Sequence, residues 1–193
     1  MRPALRSFVS SLLFVLAFCA SANAWAQDQL ANTTVLIVRH AEKPKEGPSL
    51  TPQGFARAQA YAHYFAPFHL DGRPFAINAL YAGHDSKNSM RPRLTLEPLS
   101  QALHLPLNTD FETEAPDALA ANLRSSPHGD HILIAWRHGK IPALVTALGG
   151  DPAQLIPGSK WPDDTYDWVL VLRYDKQGRL AGEQRIQEPA LLP

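Results

Sequence analysis

Val35-Leu36-Ile37-Val38-Arg39-His40-Ala41-Glu42-Lys43 is the stretch that decides the fold. A continuous apolar, mostly β-branched run reads as a strand buried on both faces, the pattern of a parallel sheet covered by helices. The run breaks abruptly into charge. His131-Ile132-Leu133-Ile134-Ala135-Trp136 repeats the pattern in the second half of the chain and breaks into Arg137-His138-Gly139. In open α/β sheets, ligands bind beyond the carboxyl ends of the strands. If both strands are central and parallel, both Arg-His pairs arrive at one edge of the sheet.

Working outward, Thr51 is placed to cap a helix that starts at Pro52 and runs to about Phe65, where Pro67 stops it. Phe55, Ala58, Tyr61, Ala62 and Phe65 form its apolar stripe. Ile77 to Tyr81 reads as a strand, and Arg91-Pro92 opens a helix to about Leu103. A short helix is expected over Asp117 to Arg124, and another from Pro142 through Leu148, ended by Gly149-Gly150. Trp168 to Tyr174 reads as a strand that turns at Asp175-Lys176-Gln177-Gly178 into a last strand near Glu183–Ile186. Alternating strands and helices predict an α/β protein: a three-layer α/β/α sandwich with a mostly parallel mixed sheet and a C-terminal antiparallel hairpin.

The chain has 193 residues, of which 45% are hydrophobic and 19% charged, a globular balance that suits one domain. The first residues differ. Arg2 and Arg6 precede an apolar run from Phe8 to Ala20, and Ala24-Trp25-Ala26 offers a small-x-small site. Positive start, short apolar middle and small-residue site describe a secretory signal peptide over residues 1–26, with cleavage after Ala26 or Ala24. The run is short for a membrane span, so no stable insertion is expected after cleavage. The expected location is exported, periplasmic or secreted, and the folded domain is residues 27–193. Cys19, the single cysteine, lies in the leader, so the mature chain has no disulfide and no thiol chemistry. Its formal charge is −2, 16 basic against 18 acidic residues once Arg2 and Arg6 are gone. That argues against a nucleic-acid partner.

Arg39, His40, Arg91 and His138, with the N-terminus of the helix at Arg91, make an anion pocket. Guanidinium groups grip phosphate oxygens with a fixed fork of donors, and a helix N-terminus adds free N–H groups. The guest expected is a small phosphorylated substrate. His84, His128 and His131 fit no familiar ligand spacing, so no metal and no cofactor are expected. Oligomeric state is not legible.

These residues resemble the histidine phosphatase superfamily. Arg39-His40-Ala41-Glu42 is similar to its Arg-His-Gly-Glu signature. Leu50-Thr51-Pro52-Gln53-Gly54 followed by Ala58-Gln59-Ala60 resembles its Leu-Thr-x-x-Gly and Gln-Ala pattern. Arg91-Pro92-Arg93-Leu94-Thr95 resembles its Arg-x-x-x-Thr segment, and His131 to Gly139 its second-histidine strand. Trp161-Pro162-Asp163-Asp164-Thr165-Tyr166-Asp167 looks like one small bacterial and fungal branch. The resemblance implies a phosphoryl-transfer nucleophile at His40, with Arg39, Arg91 and His138 holding the phosphoryl oxygens. It also implies a carboxylic acid for the leaving alkoxide, sought in Asp110–Asp117 with Glu112 or Glu114 preferred. Glu42 reads as a structural partner for an arginine. Arg137 stands where the branch often has Glu, either to bind a second anionic group or to face away. The activity implied is a phosphomonoesterase. A mutase-type phosphotransferase and a non-catalytic phosphate- or glycan-binding module are the alternatives.

Overall fold

In the computed structural model, which describes residues 28–192, every second side chain of the first strand goes to a different core. The leader read over residues 1–26 lies outside the described residues. Strand β1 (Thr34–Arg39) sends Val35 and Ile37 to one face of the sheet and Leu36 and Val38 to the other, all four fully buried. Strand β6 (His131–Trp136) divides its residues the same way: Ile132 and Ile134 on the first face, Leu133 and Ala135 on the second. Both faces must therefore be covered, and the helices cover them. On the face of Leu36 lie α1 (Pro52–Tyr64) and α2 (Arg91–Leu103), which contribute Tyr61, Leu96 and Leu99. On the face of Val35 lie α3 (Pro116–Ser125) and α4 (Ile141–Ala147), which contribute Leu119, Leu123, Leu144 and Val145.

The central sheet has the order β5-β4-β6-β1-β7-β8. Its first four strands, including β4 (Ala79–Ala82) and β5 (Leu107–Asn108), are parallel, whereas β7 (Trp168–Tyr174) and β8 (Leu180–Gln187) form the expected antiparallel hairpin. The three-layer, mostly parallel mixed sheet predicted from the strand pattern is the observed fold. In its parallel pairing β1 aligns Arg39 with Trp136 of β6, so the two strands end side by side.

The structure departs from the sequence reading in several places: β5 is not expected from the sequence, and Phe55, read on the apolar stripe of α1, is exposed. A small hairpin of β2 (Phe68–Leu70) and β3 (Arg73–Phe75) forms a sheet of its own. Its turn is Asp71-Gly72, both at positive φ (52° and 74°), the Asp-Gly hairpin signal. The strand expected from Ile77 begins at Ala79 instead. Ile77 is buried, but in the core beneath the hairpin. A four-residue helix, α5 (Pro152–Leu155), capped by Asp151, is too short to show a period.

Helix α1 meets the loop after β1 at very close range. Thr51 Oγ1 accepts from the Gly54 N–H at 3.0 Å, and the Thr51 N–H donates to the Glu42 carbonyl at 2.9 Å. A Cβ on Gly54 would lie 2.5 Å from that same Glu42 oxygen. Helix propensity alone favours Ala over Gly by about 1 kcal/mol, but a side chain driven into backbone costs about 1–3 kcal/mol. The overlap decides the sign: Gly54→Ala is expected to lower the urea midpoint, and an unchanged or higher midpoint would show that the loop yields freely.

Candidate active site

The end-to-end alignment of β1 and β6 delivers His40 and His138 to one place. The His40 N–H donates to the Trp136 carbonyl at 3.0 Å, continuing the ladder one step past the strand. A single 3-10 turn at His138–Lys140 then carries the second ring inward. The two imidazoles meet edge to face, with centroids 5.6 Å apart and planes at 75°.

His40 is almost fully buried, and its Nδ1 lies 2.7 Å from the Ala41 carbonyl. A carbonyl can only accept, so Nδ1 carries the proton and Nε2 keeps its lone pair. Burial, helped by the charges of Arg39, His138 and Arg91, pushes the His40 pKa down to about 3, although the Ala41 hydrogen bond works the other way. The ring is therefore neutral at neutral pH, with the Nε2 lone pair free of a proton. Burial and then Arg39 lower His138 to about 4, while Asp163 opposes the shift.

Arg39 is fully buried, and among the described residues no carboxylate pairs with it. Its Nη1 donates to the carbonyls of Pro162, Asp163 and Thr165 at 3.0, 2.8 and 2.9 Å, and its Nη2 meets the Tyr166 hydroxyl at 3.2 Å. The guanidinium also stacks on the Tyr166 ring, 3.8 Å from the centroid. Expected as a phosphate ligand, Arg39 is thus also the anchor of the 161–167 segment. Its Nε has no partner and is buried, as is His138 Nδ1. A buried polar atom left unpaired costs about 1–3 kcal/mol, and a buried cation without a counter-ion costs more. An anion between these groups would relieve both.

Arg91, half-buried at the start of α2, donates from Nε to the Ser49 carbonyl at 3.0 Å, from Nη1 to Ser89 Oγ at 3.4 Å, and from Nη2 to the Gly47 carbonyl. It holds the loop that follows the signature and adds its charge to the His40 environment. Arg137 lies close enough to lower the Arg91 pKa further, after burial. Arg137 itself is exposed and pairs with Glu114 at 3.1 Å, and Lys140 grips the other Glu114 oxygen. Glu114, one of the acids sought for the leaving group, is therefore occupied by two cations. The exposed Glu112 carboxylate makes no hydrogen bond or ion pair with either histidine among the described residues.

Sequence reasoning gave no role to three side chains that build the site. Thr95 Oγ1, fully buried, accepts from the Ala41 N–H at 2.9 Å and donates to the Arg91 carbonyl at 2.7 Å, tying the signature loop to α2. Tyr166 covers Arg39. Asp163 Oδ1 lies 3.0 Å from His138 Nε2. All three stand in the quoted motifs, but their direction depends on tertiary packing. Glu42 has the structural role expected: its Oε1 takes the Arg57 Nε at 2.9 Å, and Arg57 Nη1 in turn meets Glu188 at 3.2 Å. Glu188 also accepts from the Tyr61 hydroxyl at 2.7 Å, and burial raises its pKa to about 7. Ring nitrogens of His84, His128 and His131 meet backbone carbonyls.

Compared with known proteins, the chain matches no family model and no curated protein sequence. Solved structures do match. An Escherichia coli protein assigned as an α-ribazole-5′-P phosphatase shares 15% identity over 81% of this chain and 96% of its own, with a TM-score of 0.56. A phosphoglycerate mutase of Plasmodium falciparum shares 18% identity over 84% and 96%, with a TM-score of 0.51. A phosphoserine phosphatase of Entamoeba histolytica, solved with phosphoserine, shares 11% identity over 78% and 96%, with a TM-score of 0.51. At these identities the likeness establishes the fold alone, the one this chain shares with those phosphatases and that mutase.

The depressed His40 pKa links the site to stability. In the unfolded chain histidine takes up a proton below about pH 6.5, but folded His40 does so only near pH 3. Unfolding therefore binds a proton between these values, and stability falls as pH falls through that window. Between pH 7.5 and 5, wild type is expected to lose about 2 kcal/mol more than His40→Gln in urea unfolding, with Glu188 common to both. Equal losses would mean that His40 is charged in the folded protein.

Proposed function

We propose that this chain is an exported phosphomonoesterase that hydrolyses a small organic phosphate through a phosphohistidine on His40, without a metal. The observation that carries the reading is the tautomer of His40 beside a second imidazole. Nδ1 is committed to the Ala41 carbonyl and Nε2 is unprotonated beside His138, while the buried Arg39 guanidinium has an Nε without a partner. The fold shared with phosphatases and mutases agrees with it.

In the proposed reaction His40 Nε2 attacks phosphorus in line, opposite the ester oxygen. The P–O bond breaks, the phosphoryl group passes to Nε2, and the alcohol leaves with a proton from an acid in the site. Arg39 Nε, His138 Nδ1 and Arg91 stabilise the charge on the three equatorial oxygens. Water then attacks the phosphohistidine, giving a proton to the same carboxylate and releasing inorganic phosphate. Losing one such donor is worth about 3–4 kcal/mol of barrier. The leader motif of residues 1–26 supports export, and on this reading the substrate is met outside the cytoplasm.

The test is release of phosphate from 4-nitrophenyl phosphate, with alkaline quenching and mass spectrometry to catch the acid-labile phosphohistidine. Wild type is expected to turn over with a phosphoryl group on His40 and to be unaffected by EDTA. His40→Ala is expected to lose at least about 1000-fold in kcat. Chelator-sensitive turnover, or full activity in His40→Ala, would contradict the reading.

A further inference from the structure

The segment Trp161–Asp167 is fixed far more firmly than a surface loop needs to be. Three of its carbonyls lie on one guanidinium nitrogen of Arg39. The Trp161 indole, itself buried, donates to the Thr165 carbonyl at 2.9 Å and packs against Trp168 at 5.3 Å between ring centroids. Tyr166 lies flat on Arg39. The backbone of Asp163 is thus held within hydrogen-bond reach of Arg39, while its side chain is 77% exposed and reaches His138 Nε2 at 3.0 Å.

Asp163 also faces the other way. With Asp164, Tyr166, Trp168, Glu42 and Arg57 it lines a cleft of about 770 Å³ on the flank of the segment. Among the described residues it is the carboxylate that both touches a histidine of the ring pair and borders open space large enough for a leaving group. The other acids considered for the leaving group do not share this position. Glu114 is held by Arg137 and Lys140, and Glu112 reaches neither ring.

Resting on the phosphatase reading above, we propose that Asp163 is the catalytic acid that protonates the leaving alkoxide, with the alcohol portion of the ester seated in the adjoining cleft. With the phosphate dianion bound, His138 is the imidazolium: Nε2–H donates to one Asp163 oxygen and buried Nδ1–H to a phosphoryl oxygen, while the other Asp163 oxygen carries the proton and faces the cleft. When His40 Nε2 takes the phosphoryl group, the ester P–O bond breaks and the Asp163 proton passes to the departing oxygen. One neutral alcohol leaves, and Asp163 remains as the carboxylate. In the second step water gives its proton to Asp163 as its oxygen bonds to phosphorus and the Nε2–P bond breaks. The site is thereby restored. Asp164, Asp167 and Glu42 outnumber Arg57 along the cleft, so it favours a polar alcohol that is neutral or cationic over an anionic one.

Leaving-group dependence separates this role from a merely positional one. The nitrophenolate of 4-nitrophenyl phosphate departs without a proton, whereas the alkoxide of β-glycerophosphate needs one. General acid catalysis contributes about 100-fold or more. Asp163→Asn is expected to lose at least about 100-fold in kcat/KM on β-glycerophosphate and to stay within a few-fold of wild type in kcat/KM on 4-nitrophenyl phosphate, because kcat/KM reports only the steps up to the phosphohistidine and not its hydrolysis, which is common to both esters. Asp163→Glu is expected to recover part of the alkyl rate. An unchanged thermal midpoint for Asp163→Asn shows that the fold is intact. Equal losses on both esters, or an alkyl-specific loss in Glu112→Gln with Asp163→Asn unaffected, would overturn the assignment while leaving the phosphatase reading in place. A wild type inactive on both esters would overturn both.

Discussion

The parallel register of β1 on β6 is the constraint on which the site depends. A shift of one residue would exchange the two faces of a strand whose four central side chains are buried on both sides, and each core would have to repack. Because hydrophobic packing forbids that slip, Arg39 and Trp136 end their strands together, and the histidines that follow have little choice but to meet. Two ordinary cores thus set the spacing of the chemistry.

Arg39 connects that scaffold to the rest of the pocket. A guanidinium at the end of a buried strand would be costly if left bare. Here the 161–167 segment supplies carbonyl oxygens and a tyrosine ring, but no carboxylate. The charge is therefore solvated without being neutralised. The same solution fixes Asp163 beside His138, so one buried cation sets the position of a carboxylate in the site. Thr95 performs the corresponding task on the other side, holding the Ala41 amide and the Arg91 carbonyl with a single hydroxyl. Behind it the Glu42–Arg57–Glu188–Tyr61 network ties the signature loop to the C-terminal end of β8.

The parts legible in the sequence are those governed by local rules. Continuous apolar runs marked β1, β6 and β7, and prolines after a capping residue or turn marked the starts of α1, α2 and α4. The pairing of the Arg-His dipeptides was legible too, because a strand-end rule carries spatial information. The Asp71-Gly72 hairpin carried a readable turn signal that lay between two stronger elements. What stayed hidden depended on distance. Asp163 lies 25 residues from His138 in the chain, and only the folding of its segment onto Arg39 aims it at the ring. The acids of 110–117 stood in the right order along the chain, but Arg137 and Lys140 draw Glu114 to themselves, a competition that no spacing reveals.

The central claim is that two imidazoles and a buried guanidinium enclose one phosphoryl group. A crystal structure with orthovanadate, which takes the trigonal-bipyramidal shape of the transferring group, tests it directly. Vanadium is expected bonded to His40 Nε2, with Arg39 Nε and His138 Nδ1 each about 3 Å from its oxygens. Vanadate bound elsewhere, or bound with either of those nitrogens still unpaired, would contradict it.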